Sequence, residues 1–399
     1  MKRLARCMRL AAVLVLAVAM AGCPNPAASV DAAPRGAVEL VLEAATPEEA
    51  VGLRSAAASP EAGPVGEIRA ILVRILRVEL CRVDSDWTVA VDFGDGGRVF
   101  DLLALADDAA ALGFAELEAG EYEQIRLILA RDNEILVDRG AGDETLPLRV
   151  PSGENTGVKL VGGFIVGAAG VTRVPLAFDP YASVHLTGAG EYLLRPAVRV
   201  GEVTTRPYLV NDPFDSYAEG TYPSSWGWYN LWSGAGVGRA TAGQAYEGDK
   251  SFMQTGYANW VRADGIGLDL TGRNELAWRA ALRVASGSQA GAHLAFFERV
   301  ASNESREYDA VVLNPGSEIM AYGAEGRSTG VPCVADAWYL VEVRFDLERK
   351  LMDVSVDGVE RVTDLPMHDI PLPAIIFVGT GWTGWGTTTT IYADSFKVW

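Results

Sequence analysis

Trp338-Tyr339-Leu340-Val341-Glu342-Val343-Arg344-Phe345-Asp346 decides the fold class of this chain. Val341, Val343 and Phe345 alternate with Glu342, Arg344 and Asp346, the period of two that gives a strand one buried and one wet face. Leu347 to Lys350 reads as a turn. Met352, Val354 and Val356 then share a face, and Asp357-Gly358 is the signature of a tight hairpin. Upstream, Trp278, Ala280, Leu282 and Val284 alternate with Arg279, Ala281 and Arg283 in the same way. Short strands joined by turns argue an antiparallel sandwich.

The pattern continues toward the N-terminus. Glu67 to Val91 is β-rich with interspersed Arg69, Arg74, Arg77 and Arg82, and Ile125, Leu127 and Leu129 alternate with Arg126. One short helix is expected over Leu102 to Leu112, with Asp101 as its N-cap. Ala119-Gly120-Glu121-Tyr122 and Ala189-Gly190-Glu191-Tyr192 repeat the same four residues at strand starts. A tyrosine there can fold its hydroxyl onto nearby backbone, as in Greek-key sandwiches, or be an ordinary strand tyrosine. Nine of the 10 tryptophans lie at or after Trp226, so composition shifts near Arg206-Pro207. With 399 residues, two domains are expected rather than one.

The first residues carry an address. Lys2, Arg3, Arg6 and Arg9 form a basic head, Leu10 to Met20 is apolar, and Met20-Ala21-Gly22-Cys23 ends in small residues and a cysteine. That order describes a secretory signal, its apolar run too short for a spanning helix. Residues 20–23 resemble the lipobox of bacterial lipoproteins. The resemblance implies cleavage before Cys23, a diacylglycerol thioether on its sulfur, and acylation of the new amino group. Residues 1–22 are then the signal peptide and 23–35 the lipidated cysteine with a Pro/Ala-rich tether. Pro24 follows Cys23, so no aspartate signals inner-membrane retention, and outer-membrane or cell-surface residence is expected in a two-membrane organism.

Loss of the four signal-peptide cations leaves 30 Lys+Arg against 52 Asp+Glu, which makes nucleic acid and anionic lipid poor partners. Of the 4 cysteines, Cys7 leaves with the signal and Cys23 is lipidated, so Cys81 and Cys333 are expected as buried free thiols.

Two stretches carry further resemblances. Leu117-x-Ala-Gly-x-Tyr122-x-Gln124-Ile125-Arg126-Leu127, then Pro151-Ser152-Gly153-x-x-Thr156-Gly157-Val158-Lys159-Leu160, Phe178-Asp179 with Ser183-Val184, and Tyr192-x-Leu194-x-Pro196-x-Val198-Arg199 resemble a domain-of-unknown-function family of bacterial lipoproteins. What this implies for residues 36–203 is a prealbumin- or immunoglobulin-like β-sandwich, with no reaction attached. Asp212-Pro213-Phe214-Asp215-Ser216-Tyr217, Gly248-Asp249-Lys250-Ser251, Trp338 to Asp346, Val354-x-Val356-Asp357-Gly358 and Ile391-Tyr392-Ala393-Asp394-Ser395-Phe396-Lys397-Val398 resemble the laminin-G-like, concanavalin A-like jelly rolls. That resemblance covers residues 208–399 and implies that the first and last strands pair.

Jelly rolls of this kind include both glycan-binding modules and glycan-cleaving enzymes, so the site must decide. The clustered Glu-x-Asp-x-x-Glu of the hydrolases is absent, and His185, His293 and His368 stand isolated in the sequence. Aromatic residues favour binding: Trp226, Trp228, Tyr229 and Trp232 cluster, and Trp382 and Trp385 sit in Gly381-Trp382-Thr383-Gly384-Trp385-Gly386. Their rings suit stacking on sugar CH groups. Trp226 reads as a core position, which leaves Trp228, Trp232, Trp382 and Trp385 as ligand-binding candidates. Asp212 or Asp215 could share a structural calcium ion with Asp394. The expectation is a non-catalytic, lipid-anchored glycan-binding protein. The alternatives are a polysaccharide-cleaving enzyme, marked by a carboxylate pair or a Tyr/His/Arg cluster, and a structural or adhesion protein with a protein partner.

Overall fold

In the computed structural model, Trp338–Asp346 lies in an eight-stranded sheet, between Glu275–Val284 and Leu351–Val356, antiparallel to both. The structure describes residues 34–46, 67–106, 109–140, 142–151, 157–233, 236–257, 262–301, 304–370, 374–381 and 388–399. They are almost entirely β, as the alternation predicts, and residues 35–399 form one compact unit.

Four sheets make two sandwiches. The first pairs a five-stranded sheet around Arg35–Ala44 with a nine-stranded sheet around Glu67–Arg82. Leu40, Leu42, Ile71, Ile75, Leu80 and Ile125 fill its core. The second packs the eight-stranded sheet on a seven-stranded one, across Trp278, Phe296, Phe345, Phe252 and Phe396. Val210–Asp212 pairs with Phe396 to Val398 of the last strand, so the two Asp-rich ends lie side by side as the jelly-roll resemblance implies.

Arg35–Ala44 is buried on both faces, which explains its nearly continuous apolar run. Val38, Leu40 and Leu42 point into the first core, while Ala37 and Glu39 face the second sandwich. Of the residues of Glu275–Val284 and Trp338–Asp346 expected to be wet, Arg279 and Arg344 reach across to the first sandwich. Glu342 is 8 % exposed, and Arg344 donates to Glu39 at 2.6 Å.

Tyr122 is buried and its hydroxyl donates to the Glu118 carbonyl at 3.0 Å, the fold-back expected of a tyrosine corner. The helix expected over Leu102 to Leu112 is instead one 3-10 turn, Ala104–Ala106. Asp101 does accept from the Leu103 amide at 3.0 Å, but Ala110–Glu118 is taken as the antiparallel partner of Arg35–Ala44. Pairing across the sheet overrides a weak helical preference. Cys81 and Cys333 are buried and free, and burial pushes the Cys333 thiol up to about 11. Among the described residues, no helix is long and apolar enough to cross a membrane.

Candidate functional site

The seven-stranded sheet runs Tyr229–Ser233, Arg262–Leu268, Ala374–Thr380, Ala292–Ala301, Glu304–Leu313, Glu318–Tyr322, Gly326–Pro332. Alternate residues of each strand enter the sandwich core, so the others form an outer face. On it Leu231, Ala263, Ala295, Phe297, Ala310, Val312 and Phe377 make a separate apolar cluster. Every member is buried, Phe377 at 1 % and Phe297 at 3 % exposed, so the middle of this face is covered. A Cβ on Gly265 would meet Leu231 Cδ1 at 2.5 Å and the Ile376 carbonyl oxygen at 2.8 Å, so only glycine fits there.

His293 pairs in register with Val312 and Glu307 with Phe297, yet His293 Nδ1 and Glu307 Oε2 are 2.7 Å apart. A register shift between Leu294 and Phe296, with Asp309 at φ 49 on the facing strand, lies between these two positions. Gly381 closes the end beside His293, where a Cβ would come within 2.7 Å of the imidazole Nε2.

Exposed tyrosines stand at the two sides of the apolar cluster. Tyr229, opposite Gly265, is 43 % exposed, and Tyr322, opposite Ala310, is 42 % exposed. Five strand spacings separate them, about 24 Å at roughly 4.8 Å per strand. Near Tyr229, Trp226 is 46 % exposed and sits at φ 59, a left-handed conformation uncommon for a large side chain.

Trp226 and Trp228 exchange the roles the sequence suggests. Trp228 is the core residue, 5 % exposed among Phe214, Phe252 and Phe396, so it offers no face to a ligand. Its indole N–H donates to Asp212 at 2.9 Å. Trp232 pairs with Ala263 through its backbone. Its side chain, Trp382, Trp385 and Cys23 lie outside the described residues.

The three aspartates considered for a cation are held by hydrogen-bond donors. Asp212 also accepts from the Tyr217 hydroxyl at 2.7 Å and the Phe214 amide at 3.0 Å, and burial raises its pKa. Asp215 takes the amides of Asp249 and Lys250 at 2.7 and 2.9 Å. Asp394 takes those of Tyr246, Glu247 and Ser395 at 2.7, 3.1 and 2.7 Å. Asp215 and Asp394 lie close enough for their charges to interact, whereas Asp212 serves the aromatic core. Among the described residues, no three His, Cys, Asp or Glu side chains gather as a metal-holding group.

One cluster has no counterpart in the sequence reading. Asp309, 1 % exposed at φ 49, accepts from the His368 amide at 3.0 Å, and His368 Nδ1 lies 3.2 Å from the same oxygen. Its other oxygen, Oδ2, is buried with no hydrogen-bond partner, and burial raises its pKa. Tyr308 lies edge-on to His368, and its hydroxyl donates to Glu298 at 2.5 Å. Neither His293 nor His368 is isolated in space. Their partners come from strand pairing and a distant loop, which local sequence does not display.

A family model described as a domain of unknown function, DUF4382, matches residues 61–196. No curated protein matches the chain. Among solved structures, an endo-β-1,4-glucuronan lyase from the fungus Trichoderma reesei shares 12% identity, with 46% of this chain and 94% of that one covered and a TM-score of 0.35. The CBM22-1 xylan-binding domain from Paenibacillus barcinonensis Xyn10C shares 18%, over 48% of this chain and 92% of that one, at a TM-score of 0.25. The cellulose-induced protein Cip1 shares 14%, over 48% and 96%, at 0.32. Likenesses this distant transfer none of those proteins' chemistry to this chain.

Proposed function

We propose that this is a lipid-anchored, extracytoplasmic glycan-binding protein, tethered through Cys23 and non-catalytic, with outer-membrane or cell-surface residence. The binding surface is the exposed part of the outer face of the seven-stranded sheet, around Tyr229 and Tyr322, and the first sandwich is a spacer fixed to the second. The observation that carries the reading is the placement of Tyr229 and Tyr322, exposed rings at either side of a buried apolar cluster. Their span suits an oligosaccharide lying across the strands, its CH faces on the rings and its hydroxyls toward His293 and Glu307. A glycan-array screen of the protein tests this, with Tyr229→Ala, Tyr322→Ala, Trp382→Ala and Trp385→Ala beside the wild type. Binding that weakens in the tyrosine variants without loss of folding supports the site. Silence across the array removes the glycan reading and directs the search to a protein partner. Radiolabelled palmitate that fails to distinguish Cys23→Ala from wild type removes the anchor.

A second reading is favoured by one observation, the convergence of Tyr308, His368, Asp309 and Glu298. An aspartate on one imidazole nitrogen leaves the other as a base, the orienting arrangement of hydrolytic His–Asp pairs, and Tyr308 beside it is a second proton group. Cleavage of an array-positive glycan that is abolished in His368→Gln supports an enzyme. Intact glycan after prolonged incubation with wild type rejects it.

A further inference from the structure

A cleft of about 440 Å³ lies between the two sandwiches. Small-molecule sites span about 300–1,000 Å³ and concentrate at such junctions. The apolar base joins Phe100 and Leu105 of the first sandwich to Leu276 and Trp399 of the second.

Charged walls surround this base, seven carboxylates against five arginines, and these groups already have partners. Arg349 lies 3.9 Å from Asp346 and 3.8 Å from Asp364, and Asp101, Asp346 and Asp353 accept backbone amides. Glu275 meets Arg173 at 3.2 Å and Arg206 at 2.7 Å, Arg344 meets Glu39 at 2.6 Å, and Arg98 pairs with Glu360. Each of these pairs crosses from one sandwich to the other, so the cleft is built before any ligand arrives. Partnered walls select by chemistry. A cation or anion entering would compete with an existing partner and gain little Coulomb energy. A neutral polyhydroxylated molecule would not. A guanidinium has five N–H donors and a carboxylate about four acceptor positions, so each pair keeps groups to spare for hydroxyls. The CH face of a sugar ring would rest on the apolar base.

We propose that the cleft is a second sugar subsite, taking a neutral mono- or disaccharide and independent of the outer face of the seven-stranded sheet. The two sites are separable because the cleft uses none of the seven-stranded sheet.

Isothermal titration of the intact protein with cellobiose and xylobiose tests the proposal, with glucuronic acid and glucosamine as charged counterparts. Ala109→Trp puts a large side chain at an exposed lining position and leaves every ion pair in place. Arg206→Gln removes one wall donor while Arg173 keeps Glu275 paired, and it serves if the tryptophan variant fails to fold. The expected result is binding of a neutral disaccharide, weakened about tenfold or more by either variant at unchanged melting temperature. Tyr229→Ala leaves that affinity intact. The proposal is overturned if neither neutral disaccharide binds wild type, if affinity survives both cleft variants, if Tyr229→Ala abolishes it, or if the charged sugars bind equally well.

Discussion

Phe114 of the first sandwich stacks on Trp399 of the second, ring centres 4.9 Å apart and planes inclined by 29°. Trp399 exchanges two 3.0 Å backbone hydrogen bonds with Ala277, and Tyr208 meets its ring edge-on. Around this stack Lys397 pairs with Glu116, and the Arg279 guanidinium lies 4.6 Å from the Phe114 ring centre. Trp399→Ala therefore removes the centre of the junction and is expected to cost about 3–5 kcal/mol. Thermal unfolding followed by calorimetry checks it: wild type melts in one transition, and the variant melts lower or in two. A variant that melts like wild type would mean the sandwiches are not coupled through this contact. A fragment beginning at Tyr208 is expected to fare worse still, because Arg344 and Lys397 would lose Glu39 and Glu116.

Much of the fold was legible because an antiparallel strand buried on one face writes its period into the sequence. Met352, Val354 and Val356 are all buried, as their spacing indicates. Alternation names the polar face but not what covers it, so Glu342 and Arg344 read as wet although the first sandwich buries them. The candidate site was legible only in kind. Aromatic residues cluster near position 229 in the sequence, but which of Trp226 and Trp228 turns inward depends on Asp212, whose oxygens claim the Trp228 N–H. Tyr322 and the His293–Glu307 pair come from strand register and its local shift, which no local window encodes.

The left-handed backbone of Trp226 is strain without burial to offset it. Conformations of this kind cost of order 1–3 kcal/mol and cluster at functional sites. Asparagine tolerates the left-handed region, so Trp226→Asn is expected to melt no lower than wild type while weakening ligand binding. A clear drop in melting temperature would instead assign Trp226 a structural role.

The hydrogen bonds on Asp212, Asp215 and Asp394 bear on the calcium expectation. A structural cation would have to share carboxylate oxygens with the Tyr246, Glu247, Asp249 and Lys250 amides. Binding stabilises by about 2.7 kcal/mol at a hundredfold excess of ligand over Kd, a shift easily seen in a melt. The expected outcome is coincident melting curves in millimolar calcium and in chelator. A rise with calcium that Asp215→Asn removes would establish a cation at this corner.

Asp394 makes stability depend on pH in a direction opposite to that of a salt-bridged carboxylate. It is fully buried, and burial, with the Asp215 charge, pushes its pKa up to about 7, against about 3.9 for an unfolded aspartate. Between those values the folded chain holds a proton that the unfolded chain has released. Stability from this group is therefore complete below about pH 4 and is lost as pH rises through about 7. Asp394→Asn removes the titration. It also turns an amide N–H₂ toward backbone donors, so its melting temperature is expected to be lower throughout. The informative quantity is the slope. Wild type is expected to lose stability from pH 5 to pH 8 relative to Asp394→Asn, the two curves running parallel above pH 8. Parallel curves across the whole range would mean that Asp394 is ionised in the native protein at pH 5, with its amide donors outweighing the cost of burial.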